Sequence, residues 1–192
     1  MRIVVDFQGA QSPSSRNRGI GRYASSLVEA IARRPGGHEI VLALNGRFAD
    51  AADSAKRQFE GLVEARNIRV WYPPPFEGTP SPGSSRAREK LYEAFLASLE
   101  PDVVYVSSLF EGLSDAAVTS IGSFAALPTV ATLFDLIPLI NRRPYLDNPA
   151  VRSWYMRKIG ALRRADMWFA ISESSRQEGI AHLGLDPDRC IN

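Results

Sequence analysis

A doubly wound α/β domain, with a parallel sheet and helices on both faces, is the fold class this sequence predicts. Short apolar runs alternate with longer amphipathic ones along the 192 residues. Several of the short runs are continuously apolar, as strands buried on both faces are. A glycine pair also opens the first helical pattern shortly after the first apolar run. Repeated strand–helix–strand order implies parallel strands, and right-handed crossovers wind them on both sides.

Ile3–Phe7 reads as the first strand. The long link Gln8–Arg18 follows at its carboxyl end, where open α/β sheets take ligands. The first helix, Ile20–Arg33, carries Leu27 and Ile31 at helical spacing. Glu39–Leu44, Ala49–Val63 and Ile68–Trp71 continue as strand, helix, strand. Tyr72–Ser85 holds Pro73, Pro74, Pro75, Pro80 and Pro82. These exclude a helix and lack the donors of a central strand, so the segment reads as a surface loop, or as a lid or acceptor-contacting loop. Helix Ala87–Leu99, strands Val103–Val106 and Thr129–Phe134, helix Pro149–Ala165, strand Trp168–Ile171 and helix Glu173–His182 follow. Gly184 suits a helix cap, Asp186-Pro187-Asp188 suits a turn, and Cys190-Ile191-Asn192 begins another strand. One domain over residues 1–192 is expected, the first of a longer protein.

Composition narrows the function. Hydrophobic residues make up 45%, enough for a core. A net charge of +2 gives no argument for nucleic acid. The one cysteine, Cys190, excludes an internal disulfide and suits a small buried position. There is no Cys/His cluster for zinc, and Asp186-Pro187-Asp188 reads as a turn rather than a metal motif, so no metal is expected. His38 and His182 sit away from strand carboxyl ends, poor places for acid–base work. No signal peptide and no membrane-spanning run are visible, so a soluble cytoplasmic protein is expected. The basic stretch Arg142–Arg164, with Trp154 and Tyr155 interleaved, is a solvated helix face or a contact to an anionic membrane or glycolipid.

Arg18-Gly19-Ile20-Gly21-Arg22 is the most informative segment. Glycines admit backbone conformations and close approaches that other residues do not. The unpaired N–H groups and positive pole of a helix start suit a phosphate, and Arg18 and Arg22 add charge. Gly19 to Ala24 also fits the dinucleotide pattern G-x-G-x-x-[GA]. That pattern wants a carboxylate ending the second strand, and Leu44-Asn45-Gly46 has none. Asp135, directly after a buried strand, is predicted at the same sheet rim, to bind a sugar hydroxyl or to cap a turn. Glu111, in Ser107-Ser108-Leu109-Phe110-Glu111-Gly112, is a second carboxylate for the cleft or a solvated loop charge. Ser172, before Glu173, is a helix N-cap at the cleft edge.

At these residues the chain resembles the amino-terminal domain of family 4 glycosyltransferases, retaining enzymes of the two-domain GT-B fold. Four segments carry the resemblance: Val5–Ala10 with Arg18–Tyr23, Val106–Gly112, Thr132–Leu139, and Arg164-Ala165-Asp166 leading to Ala170–Ser175. The nearest likeness is to bacterial mannosyltransferases of O-antigen and related polysaccharides. It implies one Rossmann-like half of a GT-B fold. This half would hold a saccharide or lipid-linked acceptor, and its glycine loop (Arg18, Gly19, Gly21, Arg22) would face the donor diphosphate. A carboxyl-terminal domain absent here would hold most of a nucleotide sugar such as GDP-mannose. Asp135 matches the catalytic aspartate of the family's His-Asp or Tyr-Asp pair, while Phe134 replaces the histidine often found before it. Glu111, Ser172 and Glu173 fall on the acceptor side of the cleft. No cofactor or metal is implied. Two other readings are a dinucleotide-binding oxidoreductase and a non-catalytic carbohydrate-binding domain.

Overall fold

The computed structural model describes residues 1–74 and 82–192. Among these residues, seven strands form one parallel sheet: β1 (Arg2–Asp6), β2 (Glu39–Asn45), β3 (Ile68–Trp71), β4 (Val103–Val106), β5 (Thr129–Leu133), β6 (Met167–Ala170) and β7 (Cys190–Ile191). Their order is β3-β2-β1-β4-β5-β6-β7. Alternation along each strand divides the core. Val4 pairs with Val41 and Val104 on one face, and Val5 pairs with Leu42 and Tyr105 on the other.

The helices are α1 (Gly19–Arg33), α2 (Ala49–Gln58), α3 (Pro82–Ala97), the single turns α4 (Ile137–Ile140) and α5 (Arg142–Tyr145), α6 (Pro149–Leu162) and α7 (Glu173–Glu178). Val28 and Ala32 of α1 and Ala52 and Ala55 of α2, with Phe59 just beyond it, pack with Val5, Leu42 and Leu44. Tyr92 and Leu96 of α3 and Ile159 and Leu162 of α6 pack with Val4, Val104 and Leu133. The sheet is therefore covered on both sides, as expected for a doubly wound fold. Among the described residues, no helix is long and apolar enough to cross a membrane.

Several boundaries differ from the sequence reading. Helix α3 begins at Pro82, inside the segment expected to be a loop; a proline is tolerated in a first turn, where its missing N–H has no partner to lose. Residues 75–81, half of the expected loop or lid Tyr72–Ser85, lie outside the described residues. Helix α2 stops at Gln58 because Phe59 turns into the core and the chain reverses at Gly61, which has φ +75°. After α7 the helix widens into a π turn, Gly179–Leu183. Gly179 lies so close to β5 that a Cβ there would come within 2.6 Å of Leu133 Cδ2. The connection from β4 to β5 contains no helix.

Other expectations hold. Gly184 caps in the left-handed region with φ 67°, Asp186 Oδ1 accepts from Asp188 N in a turn, and Cys190 is buried. Leu162 is 0% exposed at the centre of the larger core. Leu162→Ala should therefore cost about 2–5 kcal/mol by transfer and cavity terms, read as a lower urea midpoint at constant m-value.

Candidate functional site

Strand order reverses direction between β1 and β4, and the crevice at the carboxyl ends of such strands is the usual ligand position. Here the chain fills that crevice itself. β1 ends in buried Asp6, followed by a 3-10 turn, Gln8–Ala10. Asp6 Oδ1 accepts from Gln8 N at 3.0 Å and Gln8 Nε2 at 3.3 Å. Gln8 then donates to Val118 O at 2.6 Å, while its Oε1 accepts from Val118 N at 2.9 Å and Asn45 Nδ2 at 2.8 Å. Gln11 Oε1 accepts from Asn45 N at 2.8 Å. A Cβ on Gly9 would come within 2.5 Å of Ser108 Cβ, so only glycine lets this turn seat against the end of β4. The first half of the long link is thus an internal plug, and only its second half reaches solvent.

That outer half is tied down from below. Ser12 Oγ donates to Asp115 Oδ2 at 2.5 Å, and Ser15 Oγ donates to Glu111 Oε1 at 2.6 Å. Ser108 Oγ donates to the same Glu111 oxygen at 2.8 Å. Glu111 is only 2% exposed, and burial pushes its carboxyl above the usual range against the pull of the Ser15 and Ser108 hydroxyls. Expected as a cleft carboxylate or a solvated loop charge, Glu111 is instead buried and anchors the link, because the serine hydroxyls meet it there. Ser15 O in turn accepts from Arg18 N at 2.8 Å and Gly21 N at 3.1 Å. A Cβ on Gly21 would come within 2.4 Å of Arg16 Cα. The close approach that Gly21 allows is therefore to the chain's own backbone.

Gly19 has nothing within 4 Å of where a Cβ would stand. The N-cap Arg18 makes no side-chain cap bond, and the Gly19 and Ile20 N–H groups donate to nothing among the described residues. Arg16, Arg18 and Arg22 are exposed around this corner, without a carboxylate partner among the described residues. Tyr23 of α1 meets Phe134 edge to face at 5.8 Å between ring centroids, so the helix start and the end of β5 share one rim. Phe134 packs there, as its departure from histidine suggests.

Asp135 is exposed beside Phe134, and its Oδ1 accepts from Ile137 N at 3.1 Å, a turn cap. Ser172 is the N-cap of α7, accepting from Ser175 N at 3.1 Å. Glu173 is exposed and accepts from Gln177 Nε2 at 2.6 Å and Arg176 at 3.2 Å; these bonds, Gln177 foremost, hold its carboxyl below the usual range. Asn45, where a dinucleotide fold presents an acidic residue, is buried and committed to the plug. Among the described residues, no group of three or more His, Cys, Asp or Glu could hold a metal ion. A crevice of about 440 Å3 between α1 and α2, lined by Arg16, Asn17, Ser25, Asp50, Ser54 and Arg57, opens next to the corner. The sequence reading missed it, since helix-surface polar residues carry no local signal of a shared cavity.

The plug carries unbalanced groups. Asp6 Oδ2 and the Tyr92 hydroxyl are buried without a hydrogen bond of good geometry, and burial pushes the Asp6 carboxyl up to about 7. A carboxyl raised in the folded state holds its proton more tightly there than when unfolded. Its stabilising effect is complete below the unfolded value of 3.8 and lost as pH rises towards 7. Asp6→Asn keeps the accepting oxygen and removes the titration. The stability difference, variant minus wild type, should grow between pH 4 and 7 by up to about 4 kcal/mol, at about 1.36 kcal/mol per unit. Chemical denaturation across that range measures it. At the corner, Gly21→Ala should lower stability by about 1–3 kcal/mol through overpacking, whereas Gly19→Ala should leave the thermal midpoint unchanged or raised.

The sequence model described as "Glycosyltransferase Family 4" matches residues 17–191. The serotype-specific mannosyltransferase WbdA of Escherichia coli is 35% identical over 197 residues, covering 100% of this chain and 23% of that protein. A second Escherichia coli WbdA is 33% identical over 171 residues, covering 86% of this chain and 21% of that protein. The chain thus spans less than a quarter of the length of these curated relatives. Among solved structures, UDP-GlcNAc 2-epimerase of Methanocaldococcus jannaschii has a TM-score of 0.52 at 13% identity, covering 99% of this chain and 44% of that one. Arabidopsis thaliana UGT89C1 complexed with quercetin has a TM-score of 0.54 at 10% identity, covering 98% and 48%. At such identities the likeness is one of fold, one half of the GT-B architecture. With its family model matched along nearly its whole length, the chain belongs to glycosyltransferase family 4.

Proposed function

We propose that this chain is the acceptor-side domain of a retaining glycosyltransferase that moves a sugar, mannose, from GDP-mannose to a saccharide or lipid-linked saccharide. One observation carries the reading: the start of α1 leaves the Gly19 and Ile20 N–H groups unbonded and Arg18 and Arg22 without a carboxylate partner among the described residues, on the rim that also carries Asp135. Family membership and the likeness to a mannosyltransferase support it. The missing half of the cleft would come from a carboxyl-terminal domain of the same protein.

In this mechanism the developing charge on the leaving diphosphate meets fixed dipoles and cations that need no reorganisation. A helix terminus in a partly buried site contributes up to ~2 kcal/mol, which is roughly 30-fold in rate. Asp135 uses one oxygen to hold Ile137 N and leaves the other to accept from a sugar hydroxyl. The polar crevice between α1 and α2 takes the acceptor saccharide, while Ser172 and Glu173 border the cleft opposite. The domain works at the cytoplasmic face of the membrane. There α4 and α5 present Ile137, Ile140 and Tyr145, each at least 40% exposed, beside Arg142 and Arg143.

In the full-length enzyme, Arg18→Gln/Arg22→Gln should lower kcat/KM for GDP-mannose about tenfold or more with the thermal midpoint retained. Unchanged kinetics would remove the corner from the mechanism. Asp135→Asn should lower kcat with stability intact; an equal fall in thermal midpoint and unchanged kcat would leave it only a turn cap.

A further inference from the structure

A second cationic surface lies away from the rim. Because the β4–β5 connection has no helix, α3 and α6 stand apart on the same face of the sheet, with coil between them. Two hollows meet over that coil. One, of about 350 Å3, is lined by Arg86, Glu89, Lys90, Arg157, Lys158 and Arg164; the other, of about 570 Å3, shares Gly122, Ser123 and Arg164 with it.

The floor of this groove is fixed by buried charge. Glu93, 2% exposed, accepts from Ser123 N at 2.8 Å, Phe124 N at 2.6 Å and Ala125 N at 3.0 Å. Lys158 donates to Thr119 O at 2.5 Å and Thr119 Oγ1 at 2.8 Å. Burial pushes Lys158 down to about 8. Arg164 lies across the coil, donating to Ile121 O at 2.8 Å and Gly160 O at 3.0 Å. Gly122 makes that seat possible: its φ is +63°, and a Cβ there would stand 3.1 Å from Arg164 Nε.

The groove's cations exceed its carboxylates. Glu89 is the acidic residue of the first hollow; it is buried and spent on Arg157 at 3.3 Å and Lys158 at 3.9 Å. In the second hollow, Asp166 accepts from Thr129 N at 2.8 Å. Arg86 and Lys90, one turn apart on α3, are exposed and have no carboxylate partner among the described residues. A planar, preorganised guanidinium set beside a lysine matches phosphate oxygens better than it matches a neutral sugar.

We propose that the α3–α6 groove binds a phosphate-bearing ligand, with Arg86 and Lys90 on one wall and Arg157 and Arg164 on the other. It is distinct from the corner at α1. Arg164 and Gly122 adjoin the amino ends of β5 and β6, where Asp166 N donates to Thr129 O at 2.8 Å, and the corner stands at the opposite edge of the sheet. The phosphate is either free, as a phosphate or diphosphate ion, or part of a lipid headgroup.

Inorganic pyrophosphate titrated calorimetrically into the full-length protein tests this, in an Arg18→Gln/Arg22→Gln background that removes the rim's contribution. Adding Arg86→Gln/Lys90→Gln should weaken binding roughly tenfold or more, as lost charge-assisted hydrogen bonds do, with the thermal midpoint unchanged because both side chains are exposed. Phosphatidylcholine vesicles with and without phosphatidylglycerol separate the sources. Sedimentation that needs phosphatidylglycerol, is lost in Arg86→Gln/Lys90→Gln and is competed by pyrophosphate assigns a headgroup; a pyrophosphate effect without vesicle binding assigns a free phosphate. Pyrophosphate affinity and vesicle binding both indifferent to Arg86→Gln/Lys90→Gln would overturn the groove as a site, whatever becomes of the rim.

Discussion

The hydrogen bonds around Ser15 are the constraint on which the site depends. Its hydroxyl binds the buried Glu111, and its carbonyl binds the Arg18 and Gly21 amides. One residue thereby joins the end of β4 to the start of α1. A buried carboxylate left without such donors would cost several kcal/mol, so the link has a strong reason to stay where it is. With Ser15 O occupying the Gly21 N–H, the remaining orphans of the helix start, Gly19 and Ile20, are the ones that face outward. The direction in which the helix presents its positive pole is thus set from inside the fold.

Beneath this anchor, the Asp6–Gln8–Asn45–Gln11 network performs a second task. It closes the crevice where an open α/β sheet would otherwise admit a ligand, and so pushes the usable surface outward to the link, α1 and the turn at Asp135. A buried polar network specifies position well when its members are satisfied. The members here are mostly satisfied, and the exceptions, Asp6 Oδ2 and the Tyr92 hydroxyl, lie together. The same arrangement commits Asn45, at the end of β2, to the plug.

The sheet was legible because parallel strands buried on both faces must be apolar throughout, so that runs such as Val103–Val106 stand out without any polar alternation. Local chemistry also made Ser172 readable as a cap and Gly184 as a helix end. What escaped is what depends on distant partners. Glu111 lies 96 residues from the serine that binds it, and nothing beside it in the sequence says that it points inward. Gly21 could be recognised as necessary, yet the atom that needs the space belongs to Arg16, brought back by the link. Arg157 and Lys158 read as part of a basic face for solvent or an anionic membrane or glycolipid; in the structure both reach Glu89 of α3.

The central claim is that the outward amides at the start of α1 receive the donor's phosphates. Amide hydrogen exchange of the full-length protein, with and without GDP-mannose, measures this residue by residue. Slowed exchange at Gly19 and Ile20 on nucleotide-sugar binding, with Gly21 already slow in its absence, is the predicted result. Saturating binding that leaves Gly19 and Ile20 exchanging as before would contradict the account.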